Sequence, residues 1–212
     1  MNITKFGHCC LLIEVKGLRI LTDPGDYSTQ QQTASGIDIV LITHEHRDHL
    51  HIDSVKAILK NNPSVRIVTN SAVKAILDKE GIKSEVLEDG QTVMIKDVMI
   101  EGAGTVHAEI YRDYPRVQNT GYFIDEELFY PGDALYNPKK PVNILALPVA
   151  GPWLKISESL DYLVEVHPHV CFPVHDGILA RPSMMQRITE MVCQKNSIQF
   201  MSLVIDQATE IK

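Results

Sequence analysis

At 212 residues and 44% apolar composition the chain can bury one sizeable core without disulfide or metal staples. A formal charge of -7 argues against a nucleic-acid backbone as partner, because neutralising phosphates takes a basic surface. No apolar run approaches the roughly 18 residues of a membrane span and residues 1–5 show no secretory pattern, so a cytoplasmic protein is the expectation.

Residues 9–15 and 18–22 are apolar runs rich in branched side chains around Lys16-Gly17, the pattern of a hairpin. Residues 24–36, polar and rich in Gln, Ser and Gly, read as a loop leading to the apolar run 37–42. Just beyond that run stand His44, His46, Asp48 and His49. Asp53 or Ser54 then suits the cap of a helix with Val55, Ile58 and Leu59 on one face, ending near residues 61–63. A strand at 65–69 and a second helix at 71–80, carrying Val73, Ile76 and Leu77 and stopped by Gly81, complete this half.

Residues 86–100 read as a meander of short strands that leads to His107. The runs 119–124 and 128–130 form a hairpin around 125–127 and end at Gly132-Asp133. A strand at 143–147 is closed by Pro148, Ser157 caps a helix with Leu160, Leu163 and Val164, and a strand at 170–174 runs into His175. Pro182 opens a last helix with Met185, Ile188, Met191 and Val192 inward, and 197–205 reads as a closing strand. Each half offers strands first and helices after. Two such halves would pack sheet on sheet with helices outside, an α/β sandwich of four layers, αββα, in one domain spanning 1–212.

Three imidazoles and a carboxylate within the segment 44–49 suit a zinc-type site. In an extended chain His44, His46 and Asp48 would be spaced about 6.6 Å apart, whereas ligands of one zinc lie about 3 to 4 Å apart. The chain must therefore curl into a loop. Asp48 and His49 are neighbours that diverge, so the economical arrangement is two metals, with His44 and His46 on one and Asp48 and His49 on the other. Two metals need about seven or eight protein ligands, and His107, Asp133 and His175, each after a strand-like run, are the additions. Cys9, Cys10, Cys171 and Cys193 lack metal-finger spacing and read as small buried thiols.

The motif His44-x-His46-x-Asp48-His49, followed by His107, Gly132-Asp133 and a late His175, resembles the metallo-β-lactamase superfamily. Gly7-His8-Cys9 with Leu11-Leu12-Ile13-Glu14, Thr22-Asp23-Pro24, Asn119-Thr120-Gly121-Tyr122 and Pro173-Val174-His175 are similar to its small hydrolase branch. That branch is related to ascorbate-6-phosphate lactonase and N-acyl phosphatidylethanolamine phospholipase D. The resemblance implies the metallo-β-lactamase αββα sandwich, His44, His46 and His107 on one metal, Asp48, His49 and His175 on the other, and Asp133 bridging. It departs from many members in having Ala134 after Asp133 and Asp176-Gly177 after His175. Asp23 and Asp176 are candidates to accept the outer ring N–H of a ligating histidine. The resemblance places His8 near the site mouth, while His51, His167 and His169 read as helix-end or surface residues.

Two divalent ions, zinc by expectation with manganese as the alternative, would lower the pKa of a shared water and polarise the scissile group. Asp48 is the candidate general base. The expected reaction is hydrolysis of an ester, lactone, amide or phosphoester of a small molecule, which can carry an anionic group because the centre keeps a net positive charge. A phosphodiesterase or nuclease is the alternative, and a non-catalytic metal-binding protein the third reading. The superfamily's di-iron branch has glutamate where His46 stands, which favours hydrolysis over redox chemistry. Residues 108–118, with Tyr111, Arg112, Tyr114 and Arg116, either recognise an anionic or planar group or form a solvated loop, and Trp153 is placed at the pocket rim.

Overall fold

Four consecutive apolar residues, Ile39–Ile42, form a strand buried at every position, and a strand with two dry faces requires a layer on each side. The computed structural model describes residues 1–28 and 30–211 and supplies those layers. One sheet contains β1 (Asn2–Lys5), β2 (Leu11–Val15), β3 (Leu18–Thr22), β4 (Ile39–Ile42), β5 (Arg66–Thr69) and β6 (Glu85–Val86). The other contains β7 (Thr92–Ile95), β8 (Val98–Ala103), β9 (Gly121–Ile124), β10 (Leu128–Tyr130), β11 (Ile144–Pro148), β12 (Val170–Val174) and β13 (Gln199–Phe200). A last strand, β14 (Ala208–Glu210), returns to the first sheet, which runs β14-β1-β2-β3-β4-β5-β6. The second runs β13-β12-β11-β10-β9-β8-β7.

Each sheet is antiparallel at one end and parallel at the other. Strands β3 to β6 are parallel in the first, β10 to β13 in the second. Strand alternation sorts the side chains. Ile39 and Leu41 join Ile13, Ile20, Tyr122, Tyr130, Ile144 and Phe172 in the core between the sheets, while Val40 and Ile42 face away. They meet Val55 and Ile58 of α1 (Ile52–Asn61) and Val73 and Leu77 of α2 (Ser71–Lys79). On the far side Leu145, Leu147 and Cys171 meet Tyr162 and Leu163 of α3 (Ile156–Val166) and Cys193 of α4 (Ser183–Lys195). The order of layers is therefore αββα, as expected. No described helix is long and apolar enough to cross a membrane.

Several local expectations are corrected. Helix α1 starts behind His51 with no side-chain cap, so neither Asp53 nor Ser54 caps it. Helix α2 is capped by Asn70, whose side chain accepts from the Val73 backbone N–H at 3.0 Å. Helix α3 begins before Ser157, with Glu158 Oε2 accepting from Lys155 N at 3.0 Å. Met191 is 57% exposed; the inward face of α4 runs through Met185, Thr189, Val192 and Cys193, and the 3.6-residue period carries Met191 past its edge. The stretch 197–205 keeps only β13 as strand, because Ser197 turns at φ 57° and Leu203 dips into the core while Val204 and Ile205 stay exposed. Pro148 ends β11 as expected, itself registered against Val174.

Candidate metal centre

The parallel strands end on the same edge of both sheets, where ligand sites of open α/β sheets lie. Beyond β3 comes Asp23, beyond β4 the 43–49 loop, beyond β10 Asp133 and beyond β12 His175. Both Asp23 (φ 35°) and His175 (φ 60°) sit in the left-handed region, a strained conformation that packing must hold. Gly25 is required by closeness: a Cβ there would lie 1.8 Å from the Asp48 carbonyl oxygen.

Asp23, fully buried, ties the centre together. Its Oδ1 accepts from Thr43 N at 2.7 Å, and its Oδ2 accepts from Thr43 Oγ1 at 2.8 Å, His49 Nδ1 at 2.7 Å and Tyr130 OH at 2.7 Å. Since the Thr43 hydroxyl spends its proton on Asp23, its oxygen accepts from His44 Nδ1 at 3.0 Å. His107 Nδ1 donates to the Ala108 carbonyl at 2.6 Å. Three outer nitrogens are thus protonated and anchored, which leaves the Nε2 lone pairs of His44, His49 and His107 aimed inward.

These lone pairs converge. One ligand atom from each of His44, His46, His107 and Asp133 lies within 4.8 Å of every other, with His44 Nε2 3.1 Å from His46 Nδ1 and His107 Nε2 3.4 Å from Asp133 Oδ2. Asp133 also faces two of the other three expected residues. Its Oδ1 is 3.1 Å from His49 Nε2, and its Oδ2 is 2.9 Å from His175 Nε2. Asp48 Oδ2 lies 3.8 Å from His49 Nε2 and 3.5 Å from His175 Nε2. The structure therefore brings His44, His46, Asp48, His49, His107, Asp133 and His175 together.

The donor set fits cations better than protons. His49 Nε2, His107 Nε2, both ring nitrogens of His175 and Asp133 Oδ1 are buried with no hydrogen-bond partner. His49 and His175 approach Asp133 at hydrogen-bonding distance but off its line, as lone pairs sharing a central ion would. In the protein alone, burial holds the His44 and His46 imidazoles below their usual pKa, helped by neighbouring imidazoles. Burial pushes His49 and His175 down too, but Asp133 and Cys9 outweigh it: His49 is well raised and His175 is pushed up to about 10. Against burial, the imidazoles around Asp48 and Asp133 hold both carboxyls well below the ordinary range. Imidazolium and carboxylate balance each other in a space where divalent ions could replace the protons.

Three further residues stand at the centre: His8 and Trp153, expected at its mouth and rim, and Cys9, read from the sequence only as a buried thiol. His8 Nε2 faces Asp48 Oδ2 at 3.3 Å while its Nδ1 accepts from Gly177 N at 3.1 Å. Trp153 Nε1 donates to Asp133 Oδ2 at 2.8 Å. Cys9 lies beside His8, His49 and His175; burial raises its thiol, yet those imidazoles bring it down to about 6. All four cysteines are free and buried, as expected. Asp23 has the expected bond to a ring nitrogen, whereas Asp176 pairs with Lys5 and leaves His175 Nδ1 without a partner. Arg116 donates to the His107 carbonyl at 3.0 and 2.9 Å, so it braces a site residue instead of waiting for an anion.

The centre opens into a cleft of about 270 Å³ walled by Tyr27, Ile110, Pro152, Trp153 and Ile178. Arg47 at its edge is ion-paired with Asp26.

A model of the β-lactamase superfamily domain matches residues 2–175, a stretch that holds all seven converging side chains and ends on His175. Protein Rv0786c of Mycobacterium tuberculosis is 35% identical over 199 residues, covering 90% of this chain and 92% of its own. A UPF0173 metal-dependent hydrolase of Flavobacterium johnsoniae is 32% identical over 133 residues, 59% of this chain and 57% of its own. Among solved structures Igni18, a metallo hydrolase of Ignicoccus hospitalis, shares the fold with a TM-score of 0.74 at 21% identity, over 100% of this chain and 99% of that one.

Proposed function

The chain belongs to the β-lactamase superfamily, and from that premise we propose that it is a metal-dependent hydrolase with two cations, zinc by preference, acting on a small uncharged ester, lactone or amide. The observation that supports this most directly is the inward placement of the Nε2 atoms of His44, His49 and His107, fixed by bonds to their outer nitrogens. His44, His46 and His107 would hold one ion, Asp48, His49 and His175 the other, and Asp133 lies between the groups. When bound, such a pair activates water near neutrality and polarises the scissile oxygen.

The remaining work falls to the chain. Asp48, its side chain 22% exposed, turns a carboxylate toward the cleft and can take the proton of the attacking water. Tyr27, Ile110 and Trp153 offer apolar walls that orient a small substrate and exclude bulk water. Among the described residues, Arg47 at the edge pairs with Asp26 and Arg116 turns to the backbone, while the walls themselves are largely apolar, which favours neutral acyl substrates over phosphodiesters. The overall charge of -7 weighs against nucleic acid in the same sense.

The test is turnover of p-nitrophenyl acetate, a series of lactones and bis-p-nitrophenyl phosphate by zinc-loaded protein, beside Asp48→Asn. Acyl substrates should be hydrolysed, and the variant should lose about 10² to 10⁴-fold in kcat. Inertness of the loaded protein toward every acyl substrate would remove the assignment.

A further inference from the structure

The expected ligand set leaves one buried group at the centre unexplained. Cys9 lies in the turn between β1 and β2; its carbonyl accepts from Thr22 Oγ1 at 2.9 Å and lies 3.0 Å from Tyr130 OH, whose proton goes to Asp23. These contacts hold it between the sheets, 1% exposed, while Cys10 points into the outer cluster under α1 and α2. Its Sγ and one ring nitrogen from each of His8, His49 and His175 all lie within 4.8 Å of one another. His8 is already engaged on both nitrogens, by Gly177 N and by Asp48. His49 Nε2 and both nitrogens of His175 are buried without partners. What remains within that distance is one sulfur and two imidazoles, and zinc ligands of this kind lie about 3.5 Å apart.

Building on the two-cation reading, we propose that Cys9 is a thiolate ligand of the ion held by His49 and His175. Metal binding then releases the thiol proton to solvent and forms a sulfur–metal bond. This half of the centre becomes a soft site that selects zinc or cadmium over manganese. Asp48 is correspondingly freer to face the cleft as proton acceptor, with His8 as the positioning residue that steadies it.

The experiment titrates chelator-stripped full-length protein with Co²⁺ and follows near-ultraviolet sulfur-to-cobalt absorption for wild type, Cys9→Ser and Cys10→Ser. Wild type and Cys10→Ser should bind two equivalents, one of them with the band. Cys9→Ser should lose the band and bind that equivalent at least about tenfold more weakly. Two equivalents without a band, or a band that survives in Cys9→Ser, overturns the thiolate ligand and leaves the two-cation reading standing. One equivalent whose band vanishes in Cys9→Ser supports the ligand and overturns the pair of cations. Wild-type protein gives a second arm independent of any variant: cadmium should displace manganese and show cadmium–sulfur absorption, and displacement without that absorption counts against Cys9.

Discussion

Replacing Asp23 by Asn tests whether one carboxylate organises the centre. Asp23 is fully buried and accepts four hydrogen bonds from Thr43 N, Thr43 Oγ1, His49 Nδ1 and Tyr130 OH. The amide has one oxygen and one NH₂ to place. Turning its oxygen toward His49, Tyr130 and the Thr43 hydroxyl leaves the NH₂ against the Thr43 N–H; the opposite turn sets the NH₂ against three donors. The first is cheaper, and it still strands a buried donor at about 1 to 3 kcal/mol. The three surviving bonds now go to a neutral acceptor, each weaker by about 1 kcal/mol. A loss of about 4 to 6 kcal/mol in unfolding free energy is therefore expected, a large share of the usual 5 to 15 kcal/mol. His49 loses its anionic partner, so affinity for the ion it faces should fall about 10 to 100-fold. Urea unfolding of stripped protein measures the first effect, and competition with a chromophoric chelator the second. Wild-type midpoint and wild-type affinity in Asp23→Asn would refute the reasoning.

The remaining predictions rest on separate features. Gly25→Ala forces a Cβ to within 1.8 Å of the Asp48 carbonyl oxygen; the 43–49 loop must shift, with a stability loss of at least about 1 to 3 kcal/mol and weakened metal uptake, both readable by thermal unfolding and elemental analysis. His175, at about 10, and His49 lie above their unfolded values, so their contribution to the stripped protein is full below about pH 6.5 and lost as pH rises through about 10. Metal loading at neutral pH must then expel protons, and calorimetry in buffers of different ionisation enthalpy should show net release; a slope of zero contradicts it. Trp153 is the only tryptophan and donates to Asp133. Its fluorescence should therefore report metal binding, and Trp153→Phe should weaken that binding about tenfold with the fold intact by circular dichroism.

The side chains that the structure brings together could be read where type and position agree. The His44 to His49 loop, His107, Asp133 and His175 each follow a β-like run and carry donors, and the strand ends bring them together. Cys9 was harder, since alternation separated it from Cys10 without showing which buried surface it would meet. Its parity with Leu11 and Ile13, both facing the other sheet, was the available signal. Asp176 illustrates the opposite failure. Next to a site histidine it looked like an orienting acceptor, but Lys5, distant in sequence and buried, claims it. Strand β14 pairs Asn2 with Glu210 through a polar stretch that has no apolar alternation to announce it. Such long-range pairings follow from the packed whole and leave no local trace.

The return of β14 to the first sheet also has a bearing on biosynthesis. On the ribosome the segment with His44, His46, Asp48 and His49 emerges well before His107, Asp133 and His175, and the sheet that carries it gains its edge strand last. A nascent polypeptide that has reached residue 133 therefore displays six of the seven donors but still lacks His175 and the strand β14. Ion loading at the proposed centre would then wait for His175 and for β14 to complete the sheet, exposed until then to competition from cellular chelators.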